Sequence, residues 1–123
     1  EFLQRHGYDA YFFVIGGPSS QFLSINPWFG KYMAIGALWT SGYSDVMWLD
    51  DDAYFGLTRE EAVPIHRWLD DKAELVLGFH GSTTSGAMIW RRSVFTEFLL
   101  ATTWAGGQRF GLYVRHADQI ALQ

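Results

Sequence analysis

Two runs of this chain, YDAYFFVI at positions 8–15 and DVMWLD at 45–50, put apolar residues on both faces of an extended segment and then stop abruptly, the first at GGPSS and the second at charge. A strand that is apolar on both sides has to be covered on both sides, as the strands of parallel or mixed α/β sheets are. Between the two, KYMAIGALWTSG brings Ile35, Leu38 and Trp39, with Met33 or Tyr32 on the same side, to near-helical spacing, and Gly42 supplies a stop. Downstream, AELVLGFH reads as a third strand, GSTTSG as a loop and AMIWRR as a fourth strand. SVFTEFLLATTW then predicts a helix with Ser93 as N-cap and Phe95, Phe98, Leu99 and Thr102 along one face, closed by the loop AGGQRFG. In TREEAVPIHRWLDD, Thr58 and Glu61 stand at capping-box spacing, but Pro64 breaks an uninterrupted helix, which predicts a turn and then a helix starting near Pro64. The expected architecture is one α/β unit, a mixed and mostly parallel sheet flanked by helices.

Size and composition agree with a single domain spanning 1–123, since 123 residues with 49% apolar content suffice for one packed core. The chain opens on EFLQRHGYDAYFF without Met and ends on HADQIALQ in mid-element, so the expectation is an incomplete piece of a longer protein. A net charge of -4 without a basic stripe speaks against nucleic acid as a partner. No run approaches the ~18 apolar residues of a membrane span, so any membrane attachment would come through an anchor outside this chain. Without cysteine, any metal must be held by oxygen or imidazole. The histidines, His6, His66, His80 and His116, lack the spacing of a protein-only zinc site.

The chemistry concentrates in VMWLDDDAYFG, where an apolar strand runs into Asp50, Asp51 and Asp52. Three adjacent carboxylates repel one another and are costly to desolvate unless water, donors or a cation compensate them. On an extended strand Asp50 and Asp52 share a face and Asp51 points away, so the first two can share a cation. Oxygen ligands favour Mn²⁺ or Mg²⁺, which typically bridge a carboxylate and a diphosphate. An acidic, solvated turn is the plainer reading. The flanking Trp48, Leu49, Ala53, Tyr54 and Phe55 argue for partial enclosure instead.

MWLDDDAYF resembles the DxD segment of GT-A glycosyltransferases, closest to the galactosyl- and xylosyltransferase family 34, in which an apolar strand ends in W-(L/I)-D-x-D-A. HGYDAYFF and NPWFGKYMAI upstream, and TTSGAMIWRRS and HADQIAL downstream, are similar to the family's other short motifs in the same order, so the likeness spans most of the chain. Thr84 replaces the usual Asn of the family's N-T-G, and Ala117 stands where a second acid is common. A C-terminal metal histidine and a first nucleotide-binding strand are not among these residues.

The resemblance implies a GT-A, Rossmann-like nucleotide-diphospho-sugar transferase fold and a retaining, metal-dependent glycosyltransferase of the Golgi or another endomembrane lumen. It would move a hexosyl or pentosyl group from a nucleotide-sugar donor to a glycan or glycoprotein acceptor. Carried over by position, Asp52 ligates Mn²⁺ and Asp50 contacts the metal or the nucleotide ribose. Asp51 at the variable position and Lys31 ahead of the helix fall on the nucleotide side, while Asp118 and Gln119 lie near the reacting sugar carbon or the acceptor. The plain alternatives are a helix cap for Asp118 and a solvated helix-start lysine for Lys31. Arg91 and Arg92 can pair with phosphate or simply open a helix, and Ser82, Thr83, Thr84 and Ser85 can bond sugar hydroxyls or simply form a polar loop. The competing function is a noncatalytic carbohydrate-binding module with a Ca²⁺ site, which would expose many of the six Trp rings.

Overall fold

The computed structural model describes residues 2–13, 30–53, 67–69, 72–79 and 83–110. In chain order these form α1 (Phe2–His6), α2 (Gly30–Thr40), β1 (Asp45–Leu49), β2 (Leu75–Phe79), β3 (Thr83–Arg91) and α3 (Val94–Phe110). No helix among the described residues is long and apolar enough to cross a membrane.

The sheet is organised by β3, in which Met88, Ile89 and Trp90 are buried one after another, so both faces of this strand are covered. The strand order is β1-β3-β2, and β3 runs antiparallel to both neighbours. This overturns the expected mostly parallel, Rossmann-like sheet of a GT-A fold. The reason lies in the connection from β2 to β3: only positions 80–82 separate Phe79 from Thr83, whereas a parallel neighbour needs a crossover of about a dozen residues or more. Apolar residues on both faces signal a covered strand and carry no information about its direction.

Helix α2 lays Tyr32, Ile35 and Trp39 on the sheet, at intervals of three and four residues, and together with Val46, Met88 and Trp90 they form the core. Tyr32 takes the inward place and Met33 faces out. Trp90 is fully buried, with Tyr32 and Trp39 meeting it edge-on at ring centroid distances of 6.0 and 6.2 Å. α2 ends where Gly42, at φ 105°, donates to the Trp39 carbonyl and Tyr43 donates to that of Leu38, the paired bonds of a left-handed helix stop.

Ser93 caps α3 as expected: its Oγ accepts from Thr96 N at 3.1 Å, and Thr96 Oγ1 reciprocates by accepting from Ser93 N at 2.8 Å. The helix runs on through Ala105–Phe110, where AGGQRFG reads as a loop; glycines cost about 1 kcal/mol each inside a helix without forbidding it. Val94, Phe95 and Phe98 are exposed, and α3 instead meets the core through Leu99, Leu100 and Trp104.

Two further expectations change. Tyr8–Phe13 form no strand, and Tyr11, Phe12 and Phe13 are exposed. In place of a strand pairing, Tyr43 Oη donates to Asp9 Oδ2 at 2.5 Å and lies 2.6 Å from the Tyr11 hydroxyl, tying this segment to the start of β1. β3 also begins at Thr83, inside the polar stretch read as a loop. Of the turn and helix expected around Pro64, only residues 67–69 are described, and they form a tight turn with Leu69 buried rather than an α-helix; the rest lies outside the described residues.

Candidate functional site

Strand β1 ends at Leu49, and Ala53 N donates to the Asp50 carbonyl at 3.0 Å, so Asp50–Ala53 is a turn rather than a continued strand. The alternation that would put Asp50 and Asp52 on one face therefore stops before it reaches them. Asp51 and Asp52 are exposed at the turn, while Asp50 is drawn back against the protein.

Three groups fix Asp50. Its backbone N donates to the Gly86 carbonyl at 2.8 Å. Its Oδ1 accepts from the Trp48 indole Nε1 at 2.6 Å and from Lys31 Nζ at 3.2 Å. The Lys31 side chain is 6% exposed and that of Asp50 36%, so the ammonium is buried and the carboxylate half-open. Lys31 Nζ also donates to Ser85 Oγ at 3.1 Å and to the Ser85 carbonyl at 3.4 Å. A buried ammonium requires such oxygen partners, because its desolvation is not otherwise offset. Lys31 stands in the first turn of α2, whose positive end also suits the carboxylate beside it.

The local fold of β3 brings these groups together. Leu77 pairs with Met88 but the next residue, Gly78, pairs with Thr84, so Ser85, Gly86 and Ala87 have no counterpart on β2. This bulge turns Ser85 toward Lys31 and leaves Gly86 beside Asp50. It also needs Gly78, where a Cβ would stand 2.8 Å from Thr84 Cγ2. A Cβ at Gly86 would lie 3.3 Å from Asp50 Oδ2. That oxygen accepts no hydrogen bond among the described residues and is the free ligating atom of the group.

The other expected residues divide clearly. Arg91 forks onto Asp45, its direct cross-strand partner, with Nε to Oδ1 at 3.1 Å and Nη2 to Oδ2 at 3.4 Å. That pair sits at the other end of β1 from Asp50, about 17 Å away at strand rise. Arg92 is held by Glu97 at 2.6 Å and by the Trp39 carbonyl at 3.0 Å, so both arginines tie elements together far from the Asp50–Asp52 turn. Thr84 Oγ1 accepts from Gly86 N at 3.2 Å and shapes the bulge. The His6 ring meets that of Tyr8 at a tilt, with centroids 5.9 Å apart. Asp118, Gln119, Ser82, His66, His80 and His116 lie outside the described residues. Reading the sequence missed Gly86 and the part played by Trp48, although W-x-D, which lets an indole reach the carboxylate two residues on, was in plain view.

Among the described residues no group of three or more His, Cys, Asp or Glu side chains could hold a metal ion. The donors at the turn are oxygen only: Asp50 Oδ2 and the exposed carboxylates of Asp51 and Asp52. Oxygen donors are of the kind a hard dication such as Mg²⁺ or Mn²⁺ takes, one or two carboxylates with water and phosphate in its other positions, but the three carboxylates form no group around a common point. Away from this turn, Tyr43 is the one described group with a marked titration shift: the hydrogen bond it donates to Asp9, then that with Tyr11, holds its phenol protonated above the ordinary tyrosine range.

Set against known proteins, the chain matches no family model, no curated sequence and no solved structure.

Proposed function

We propose that the Asp50–Asp52 turn binds the diphosphate of a nucleotide sugar through Mn²⁺ or Mg²⁺, and that the chain belongs to a glycosyltransferase acting on a glycan or glycoprotein acceptor. The observation that carries this reading is the state of Asp50: a carboxylate at a strand end, clamped through one oxygen by buried Lys31 and by Trp48, with its second oxygen left open beside two exposed carboxylates. A solvated acidic turn would need neither a buried ammonium nor an indole donor. The dication would offset the charge that develops on the departing nucleoside diphosphate. Lys31, held among Asp50 and Ser85, serves to orient Asp50, which departs from the nucleotide contact implied by its motif.

The alternative, a carbohydrate-binding module that stacks sugars on exposed indoles, draws little support. Trp39 and Trp90 are in the core and Trp48 and Trp104 are packed against it, which leaves only Trp68 exposed among the described indoles.

Calorimetric titration of Mn²⁺ in the presence of a nucleoside diphosphate, comparing wild type with Asp52→Ala, tests the metal reading. Equal affinity in the two proteins would overturn it. Asp118→Asn tests the transferase reading separately: a catalytic Asp118 loses transfer while nucleotide and metal affinity stay unchanged, whereas a helix cap loses neither.

A further inference from the structure

Helices α2 and α3 approach each other where Gly36 faces Leu100, and between them lies an open cleft of about 420 Å³. Its walls are mostly apolar, with Tyr32 and Gly36 on α2 and Leu100 and Trp104 on α3. Trp39 lines it as well, beside Arg92, whose Nη1 donates to the Trp39 carbonyl at 3.0 Å. We infer that this cleft binds a small neutral molecule with an apolar ring system and one amide-like group, whose oxygen takes the Trp39 indole N–H. Trp39 stands about 12 Å beyond Lys31 along α2, so the site is separate from the Asp50–Asp52 turn and needs no metal there.

The indole itself points to a ligand. Trp39 is 3% exposed, and its Nε1 is buried without an acceptor among the described residues. Buried donors are nearly always paired, because an orphan bears its full desolvation cost. The indoles of Trp48 and Trp90 follow that rule, donating to Asp50 Oδ1 and to Met88 Sδ. Of the two buried side-chain groups left without a partner, Trp39 Nε1 and Thr103 Oγ1, only the indole belongs to a residue that lines the cleft.

Gly36 is a second, independent sign. It stands inside α2, where alanine is the better helix former, and its φ is not positive. A Cβ there would meet only Leu100 Cδ2, at an ordinary 3.4 Å. Neither backbone nor packing calls for glycine, and what its bare Cα leaves is room between the helices.

The charges at the cleft select for neutrality. Arg92 and Glu97 are the charged residues among those described on its walls, and they cancel, with Arg92 Nε on Glu97 Oε1 at 2.6 Å. A charged ligand would leave water without a net opposite charge to receive it. Arg92 Nη2 and Glu97 Oε2 make no hydrogen bond among the described residues, so the pair offers a donor and an acceptor side by side. An amide matches both, and its oxygen has lone pairs for Arg92 and for the indole. A volume of about 420 Å³ falls within the roughly 300–1,000 Å³ of small-molecule sites and admits a bicyclic ring.

The test is heteronuclear NMR of the nitrogen-labelled chain, with the Trp39 indole cross-peak assigned by its loss in Trp39→Phe or, should that variant fail to fold, by triple-resonance spectra. Titration with naphthylacetamide is expected to move this indole proton downfield to a saturating limit, further than any other indole. Naphthylacetate, which carries a charge in place of the amide, and ethylnaphthalene, which has no polar group, are expected to bind roughly tenfold more weakly or worse. A Trp39 peak that stays in place up to the solubility limit of the amide overturns the site. Equal affinity for ethylnaphthalene refutes the part given to the indole, and equal or tighter binding of naphthylacetate refutes the neutrality. Gly36→Ala then reports the location. It adds a methyl to the cleft and a better helix former to α2, so the urea midpoint should hold or rise while affinity for the amide falls severalfold. Unchanged affinity in folded Gly36→Ala puts the compound elsewhere and overturns the proposal.

Discussion

Replacing Trp48 by Phe keeps an aromatic ring in place and deletes one donor, the indole N–H 2.6 Å from Asp50 Oδ1. A hydrogen bond to a charged acceptor contributes about 1.5–3 kcal/mol to stability. Because the Asp50 side chain is 36% exposed and water competes for it, the low end applies, about 1.5 kcal/mol. The substitution also trims apolar area from a half-buried ring, so the single variant alone does not isolate the bond. A double-mutant cycle with Asp50→Ala does, since the loss of ring area recurs in both backgrounds and cancels. Urea unfolding of the four proteins, followed by tryptophan fluorescence and far-ultraviolet dichroism, should give a coupling energy of about 1–1.5 kcal/mol. At a typical urea slope the difference corresponds to a midpoint displacement on the order of 0.5–1 M. A coupling below about 0.3 kcal/mol, the level of additivity for independent sites, would show that the indole does not hold the carboxylate and would remove the clamp on which the site is built.

Other consequences follow from the same physical chemistry. Thr96 is fully buried and its hydroxyl both donates to the Arg91 carbonyl and accepts from Ser93 N, so Thr96→Val, which preserves volume, should cost about 2–3 kcal/mol, more than the ~1 kcal/mol for the methyl lost in Thr96→Ser; the reverse order in urea unfolding would mean that packing of the methyl outweighs the hydroxyl's hydrogen bonds. Gly42→Ala places a Cβ at φ 105° and should lower stability by about 1–2 kcal/mol, while no change in the thermal midpoint would mean the helix stop has relaxed. The bond from Tyr43 to Asp9 keeps the phenol protonated above its free range, so the stability it contributes is complete below about pH 10 and is lost as pH rises through the elevated native value. Comparing wild type with Tyr43→Phe across that range should show a constant difference that shrinks only in alkali; a difference that grows there would contradict the assignment.

What was legible in the sequence was local. The apolar runs that became β1 and β2, the spacing of Ile35, Leu38 and Trp39 on α2, with the choice between Tyr32 and Met33 left open, and the Ser93 cap are short-range patterns, and periodicity and capping chemistry report short-range structure directly. Strand direction is a property of connections, and the brevity of the link before Thr83 was outweighed by an apolar pattern that does not encode direction. Lys31 was singled out for its place ahead of a helix, yet its contact with Asp50 spans 19 positions and with Ser85 spans 54, separations over which no sequence period acts. The bulge was hidden for a related reason: small polar residues such as Thr83–Gly86 are what a loop contains, and only the pairing of Thr83 and Thr84 with β2 and the bond from Asp50 N to the Gly86 carbonyl join them to the sheet.

The irregularity in β3 also divides the β2–β3 ladder into unequal lengths. Toward the core, Leu75–Leu77 pair with Met88–Trp90; beyond the break, only Gly78–Phe79 pair with Thr83–Thr84. Opening the outer pair exposes no buried tryptophan and breaks few bonds, so its opening free energy lies well below that of global unfolding. In native-state hydrogen exchange the amides of Gly78 and Thr84 should therefore exchange through a low-energy local fluctuation, while those of Ile89 and Trp90 follow whole-molecule opening. Gly86, beside Asp50, thus lies where a longer ladder built on the core gives way to one of only two residue pairs, so the two sides of this position are held with unequal strength.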